Sequence, residues 1–305
     1  MSAVMLSQLP PPEIIESLDF EVLFTQRKDA FIALYPPEQQ AAVAATLALE
    51  SEPITKTLQE NAYLEMLLRQ RINNAALACM LPWSTGADLD NLVANWDVFR
   101  LVIQEGDETA TPPVPTIMES DEALRERALL AWDGLSVAGP ELAYEYFARS
   151  SDGRVSDAKA VSPTPACVTV TVLSSEGDGS ASAELLAIVE AAFSGEDVTP
   201  CADRVTAQSA VILPYLIDAR LTIDATDAEA ELILKTARDR LAAWVNPRLR
   251  LGVEVPRSAV DAVLHVPGVR RVDLIDWVDL IDWVDIVPTQ QQAGWCEGWN
   301  VERAP

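Results

Sequence analysis

The hydrophobic period of this chain changes along its length, and that change limits what it can build. Over residues 12–96 the spacing is helical: Ile14, Leu18 and Val22 fall four apart, and a second segment opens after Pro36 and Pro37. Proline suits a first helical turn because its missing N–H would have no partner there. At Val168 the spacing drops to two. Val168, Val170 and Val172 alternate with Thr169 and Thr171, the pattern of a strand with one buried face. This order predicts an α+β protein, with an amino-terminal helical bundle domain followed by two small α/β-sandwich domains. At 305 residues each can own a core.

The strongest helical segment is 54–81. Leu58, Ala62 and Met66 take one side and Leu64, Leu67 and Leu68 another, so the helix wants neighbours on more than one side. Tyr63, Leu64, Leu67 and Arg71 are its candidate interface residues. Pro82 stops it, and 87–96 reads as a short further helix that completes a helical domain over 1–103. Residues 104–120 collect Gly106, Pro112, Pro113 and Pro115 with little to bury, and read as a linker.

The first α+β domain is expected over 121–224. Helices at 121–132 and 140–149 precede a strand at 155–161, which turns near Ser162 and Pro163 to pair with the valine strand. Ser182 caps a helix lined by Leu185, Ile188, Val189 and Ala192, with Gly195 at its end. One long strand is expected over 205–223. In the second domain, 225–305, Thr226 and Glu229 form a capping box for a helix that buries Ile233, Ala237, Leu241 and Trp244 before Pro247.

Charge narrows the function. Lysine and arginine number 22 against 47 acids, a net charge of -25, which repels phosphate backbones and argues against a nucleic-acid partner. Cys79, Cys167, Cys201 and Cys296 are scattered with no close pair, so buried free thiols in a reducing cytosol are expected and a zinc or redox motif is not. The start of the chain lacks basic charge and reaches Pro10, Pro11 and Pro12, unlike a secretory signal. The charge-free run between Lys159 and Glu176 is broken by Pro163 and Pro165, so no membrane span is expected.

Enzyme-like signals are weak. Residues 177–182, Gly-Asp-Gly-Ser-Ala-Ser, lie between a strand and a helix, where a phosphate loop could sit. They lack the third glycine of a dinucleotide loop and the lysine of a P-loop, and Gly and Ser serve turns and caps without any ligand. The single histidine, His265, rules out a multi-histidine metal site and offers no partnered catalytic base. Asp273, Asp276, Asp279, Asp282 and Asp285 recur every third residue, which spreads carboxylates instead of gathering them in a calcium loop; a solvated or partner-facing edge is the better reading. No cofactor and no metal is expected. Trp277, Trp283, Trp295 and Trp299 crowd the last 29 residues, and tryptophan concentrates at interface hot spots, so these are interface candidates beside a local-core reading. Residues 274–279 and 280–285 repeat Leu-Ile-Asp-Trp-Val-Asp identically, as a recent duplication would.

Several longer words appear in order along the chain. They are Leu34-Tyr35-Pro36, Leu49-Glu50-Ser51-Glu52-Pro53, Glu60-Asn61-Ala62-Tyr63, Leu135-Ser136-Val137-Ala138-Gly139, Ser150-Ser151-Asp152-Gly153-Arg154-Val155, Ser162 to Val170, Gly195-Glu196-Asp197-Val198 and Ala202-Asp203-Arg204-Val205-Thr206. Together they resemble the baseplate assembly protein J family of contractile phage tails and tailocins, over nearly the full chain. The resemblance implies a non-enzymatic wedge protein that works with other baseplate wedge proteins and further copies of itself. Two copies would join a different partner through the helical domain, while the carboxy-terminal domains link wedges into a ring around the central hub and rearrange when the sheath contracts. It also implies assembly in a bacterial host cytoplasm and residence in the tail baseplate. The doubled hexamer departs from the family pattern. Two other readings compete: an acidic cytosolic nucleotide-binding enzyme using Gly177 to Ser182, and a monomeric binding module.

Overall fold

A computed structural model describes residues 9, 10, 12–136, 139–195, 198–224, 226–245, 249–275 and 285–304. The chain falls into two compact units, Met1–Asp97 and Val98–Pro305. It is a mixed α+β protein carrying three small sheets among the described residues.

The first unit is helical: α1 Phe20–Ala33, α2 Pro37–Leu47, α3 Pro53–Ala78, α4 Gly86–Val93 and a 3₁₀ turn at Ala94–Trp96. Ile14 and Leu18 lie outside α1, contrary to the periodicity. The Asp19 side chain accepts a hydrogen bond from the Val22 amide and starts the helix at Phe20. Both α2 and α3 carry proline in their first turn. The end of α3 comes at Ala78, a turn before Pro82, because proline disfavours helical geometry in the residue ahead of it. Leu23, Phe24, Leu47, Leu58 and Ala62 form the core, with Phe31, Val43 and Met66 packed against it.

The second unit opens with a hairpin, β1 Val102–Gln104 and β2 Ile117–Met118, where the composition predicts a linker. Backbone pairing supplies what apolar side chains do not: the Asp107 and Val114 amides each donate to the other's carbonyl at 2.9 and 3.0 Å. Helices α5 Asp121–Gly134 and α6 Glu141–Ser151 follow, then β3 Val155–Thr164, β4 Cys167–Ser174, α7 Ala183–Ala192 and β5 Arg204–Ser209. Strands β3 and β4 are antiparallel, with Ala158 opposite Val172. Strand β5 runs parallel to β4 through the α7 crossover. The turn lies at Ala166, in left-handed backbone, further along than Ser162 and Pro163. Val170 and Val172 pack with Tyr144, Ala148, Leu185 and Val189. The distal half of β4 is buried on both faces, since Thr171 and Leu173 are as inaccessible as Val170 and Val172.

The expected single strand over 205–223 is two strands in two sheets. β5 ends at Ser209, and after Ala210 the chain enters β6 Val211–Ile223. This is the centre of a second sheet ordered β7-β6-β8, with β7 Val269–Leu274 antiparallel to β6 and β8 Gln292–Arg303 parallel to it. Helices α8 Asp227–Val245 and α9 Arg257–Leu264 cover it. Ile217, Ala219 and Leu221 pack with Leu234, Ala237, Leu241, Val260 and Leu264; Ile233 and Trp244 are half-buried at the margin.

Candidate assembly surface

Helix α3 is two-sided. Thr55, Leu58, Ala62 and Asn73 are buried, which puts i, i+3 and i+4 neighbours of one stripe against the first unit's core. On the opposite side Tyr63, Leu64, Leu67, Leu68 and Ile72 are all about half exposed or more, with Arg71 exposed among them. The sequence candidates Tyr63, Leu64, Leu67 and Arg71 therefore share one solvent-facing stripe. Leu68 and Ile72 extend it, each 63% exposed. A run of five large apolar side chains on one helix face is more than isolated surface hydrophobics account for.

The inner side of α3 is fixed by polar contacts that composition does not reveal. Buried Asn73 accepts from the Glu16 amide at 3.1 Å and donates to the Glu16 carbonyl at 2.9 Å, pinning the non-helical segment ahead of α1. Glu65 receives Arg27 at 2.6 Å and Arg69 at 2.8 Å, and these guanidinium partners hold its carboxyl below the usual carboxylate range. These contacts leave α3 free to turn only one face outward.

In the second sheet β8 lies at an edge among the described strands. Trp299 is 38% exposed and Trp295 half-buried on this strand. Trp277 and Trp283 lie outside the described residues, as do Asp276, Asp279 and Asp282. The ends of the doubled hexamer are described: the Leu274 carbonyl accepts from Arg257 Nη2 at 3.2 Å, and Asp285 Oδ1 accepts from the Arg257 amide at 2.8 Å.

The motif words resolve into joints. Asp152 brackets Arg154, accepting from its amide at 2.8 Å and its guanidinium at 2.9 Å. Gly153 passes so close under the Val102 carbonyl that a Cβ would overlap it. Tyr144 donates to Asp203 at 2.5 Å, and burial together with that carboxylate drives its phenol well above the usual range. Arg127 and Glu119 form a buried pair at 2.7 Å that ties the β1–β2 hairpin to α5. Cys79 and Cys201 are exposed, contrary to the expectation of buried thiols, while Cys167 and Cys296 are half-buried.

The loop after β4 uses its own amides. Glu176 donates to Ser174 Oγ, Gly179 to the Glu176 carbonyl, Ser180 to Asp178 and Ala181 to Ser209 Oγ, while Ser182 caps α7 by accepting from Leu185. Asp178 is held below its ordinary range by those bonds from Ser180. A phosphate cradle needs amides pointing at a ligand, and these point inward. The nucleotide-enzyme reading finds no ligand-facing amide among these bonds. His265 is exposed at the end of α9. Among the described residues no cluster of three His, Cys, Asp or Glu could hold a metal, and no helix is long and apolar enough to cross a membrane.

Two family models match this chain: the Baseplate J-like N-terminal domain over residues 50–107 and the Baseplate J-like central domain over residues 136–209. The first contains the whole of α3, and the second contains the Asp152–Arg154 turn and the capped α7. A curated relative, "Baseplate protein J" of Escherichia phage P2, is 50% identical over 274 residues, 90% of each chain. Among solved structures, the cryo-EM structure of the anti-feeding prophage baseplate, 6-fold symmetrised, matches 60% of this chain at 15% identity and a TM-score of 0.42; the match spans 44% of that chain.

Proposed function

Because the chain belongs to the baseplate J-like family, and is thus a structural, non-enzymatic component of a phage-type tail baseplate, we propose that it is the wedge subunit that joins its neighbours through α3. In this reading the outward stripe of Tyr63, Leu64, Leu67, Leu68 and Ile72 is covered by helices of other wedge chains, two copies sharing one different partner. The carboxy-terminal sheet, with Trp295 and Trp299 on its edge strand, links wedges into the ring around the hub, and the ring rearranges on sheath contraction.

The observation that supports this best is the α3 stripe itself. A helix inside its own domain buries a face of about this width; here a second such face stays in solvent. Leu67→Arg places a charge at the centre of that face without touching the core. Its far-ultraviolet circular dichroism and melting are expected to match wild type, since surface changes usually stay within about 0.5 kcal/mol. Particles made with it should lack baseplates in electron micrographs. Normal particles carrying the variant would refute α3 as the joining surface.

A further inference from the structure

The two sheets of Val98–Pro305 meet without a flexible connection. Leu173 of β4, Ala210, Leu251 and Ala293 of β8 form a buried apolar cluster, with Ile212 and Leu249 packed on it. The covalent crossing from one sheet to the other is a single buried residue. The Ala210 amide donates to the Val172 carbonyl at 2.9 Å, and the next amide, Val211, donates to the Gln291 carbonyl at 3.0 Å, so consecutive amides are committed to opposite sheets. A hinge absorbs motion through backbone torsions that are free to change. Here neither residue can rotate without breaking a ladder.

A second strap crosses the same seam. The buried carboxylate of Asp157, on β3, accepts from its neighbour Ala158 at 2.9 Å with one oxygen and from the Leu251 amide at 3.0 Å with the other. Arg250 reaches the Ser156 carbonyl at 3.4 Å and Glu126 of α5 at 3.2 Å, and Glu126 is also held by Arg149 of α6 at 2.9 Å. The Gly252 amide then donates to the Gln292 carbonyl at 3.0 Å at the start of β8. Residues 250–252 thus grip both sheets. The composition-based division into separate α+β domains at 224 and 225 does not anticipate this seam, because its polar members are 94 and 124 residues apart in sequence.

We propose that the two sheets form one stiff arm, locked by Asp157 and Arg250 across the Ala210 crossing, which delivers a displacement of the carboxy-terminal sheet whole to the middle sheet. Its role in contraction rests on the baseplate reading above; its stiffness does not. Hydrogen–deuterium exchange of the full chain through a denaturant series tests the stiffness. In the wild type, amides of β4 and β6 should converge on one common opening. In Arg250→Ala, whose side chain is partly exposed and whose removal leaves both cores intact, and in Asp157→Asn, β6 should open at lower denaturant than β4. Separate openings in the wild type, or joint opening in both variants, would overturn the proposal. The role is read in particles. Arg250→Ala baseplates should assemble but trigger contraction less often than wild type, whereas unchanged triggering alongside uncoupled exchange removes the transmitting role. Particles in which the wild-type chain is absent from the baseplate would instead defeat the functional reading.

Discussion

At the level of single residues, space and charge are settled locally. Gly153 owes its place to proximity, as its φ is not in the left-handed range. A Cβ there would overlap the Val102 carbonyl oxygen and stand 2.8 Å from its carbon. Backbone cannot yield as a side-chain tip does, so Gly153→Ala is expected to cost about 1–3 kcal/mol and lower the urea midpoint. An unchanged midpoint would mean that the β1–β2 hairpin shifts freely. Glu145 presents the opposite case. Burial raises its pKa despite a 2.9 Å bond from Lys159, so the folded protein resists its ionisation. For an acid raised on folding, the penalty is absent below the unfolded pKa, grows as pH climbs through the carboxylate range, and is full above the folded pKa. Glu145→Gln should therefore gain stability relative to wild type between acidic and neutral pH, a trend that paired urea titrations would detect. A difference that does not change with pH would contradict it.

At the level of elements, the sequence is most legible where one side chain decides the outcome. Asp19 and Ser182 each bond the amide three residues on and start a helix; the second is evident from its Ser and the apolar run behind it. The long apolar stretch over 205–223 misleads because extension is all that alternation reports. It cannot reveal that Ala210 changes sheets, since neither strand's partner is local. The hairpin at 102–118 is hidden for a related reason: its bonds are backbone bonds, blind to side-chain composition. Asn73 is equally silent, a polar residue in a helix whose partner lies 57 residues earlier. Asn73→Ala leaves the Glu16 backbone unpaired and is expected to cost about 1–3 kcal/mol, with exchange protection lost over residues 12–19; retained protection would show that the ion pair of Arg69 with the Glu16 carboxylate, at 2.9 Å, suffices. The doubled hexamer is an element-scale question too. One arginine, Arg257, bonds both Leu274 and Asp285, while five extended residues reach about 17 Å. A single copy can therefore bridge the interval, with Asp279 arriving in front of Ile286 as Asp285 does now. Deleting residues 280–285 is expected to leave the melting curve and assembly unchanged. A soluble, folded deletion that forms no baseplates would identify the second copy as an essential contact.

For the whole molecule, the family was readable from ordered words with no catalytic logic, and the structure gives two of those words a mechanical sense: a turn clamped by Asp152 and a phenol held by Asp203. What remained illegible was long-range pairing, and that same feature governs how the protein comes into being. The first sheet grows by near neighbours, β3 on β4 and then β5 across one helix. Strand β6 is the centre of its sheet, yet both of its partners are synthesised after it, and β8 pairs with it some eighty residues later. Such closure is slow, and a waiting apolar strand is a template for wrong partners. The tie at Ala210 mitigates this by presenting β6 beside a completed sheet instead of on a free tail. Removal of residues 292–303 should accordingly move the protein from supernatant to inclusion bodies instead of trimming an edge; soluble, monomeric product would contradict it. Birth order, then, makes the nascent chain most vulnerable while β6 waits for β7 and β8.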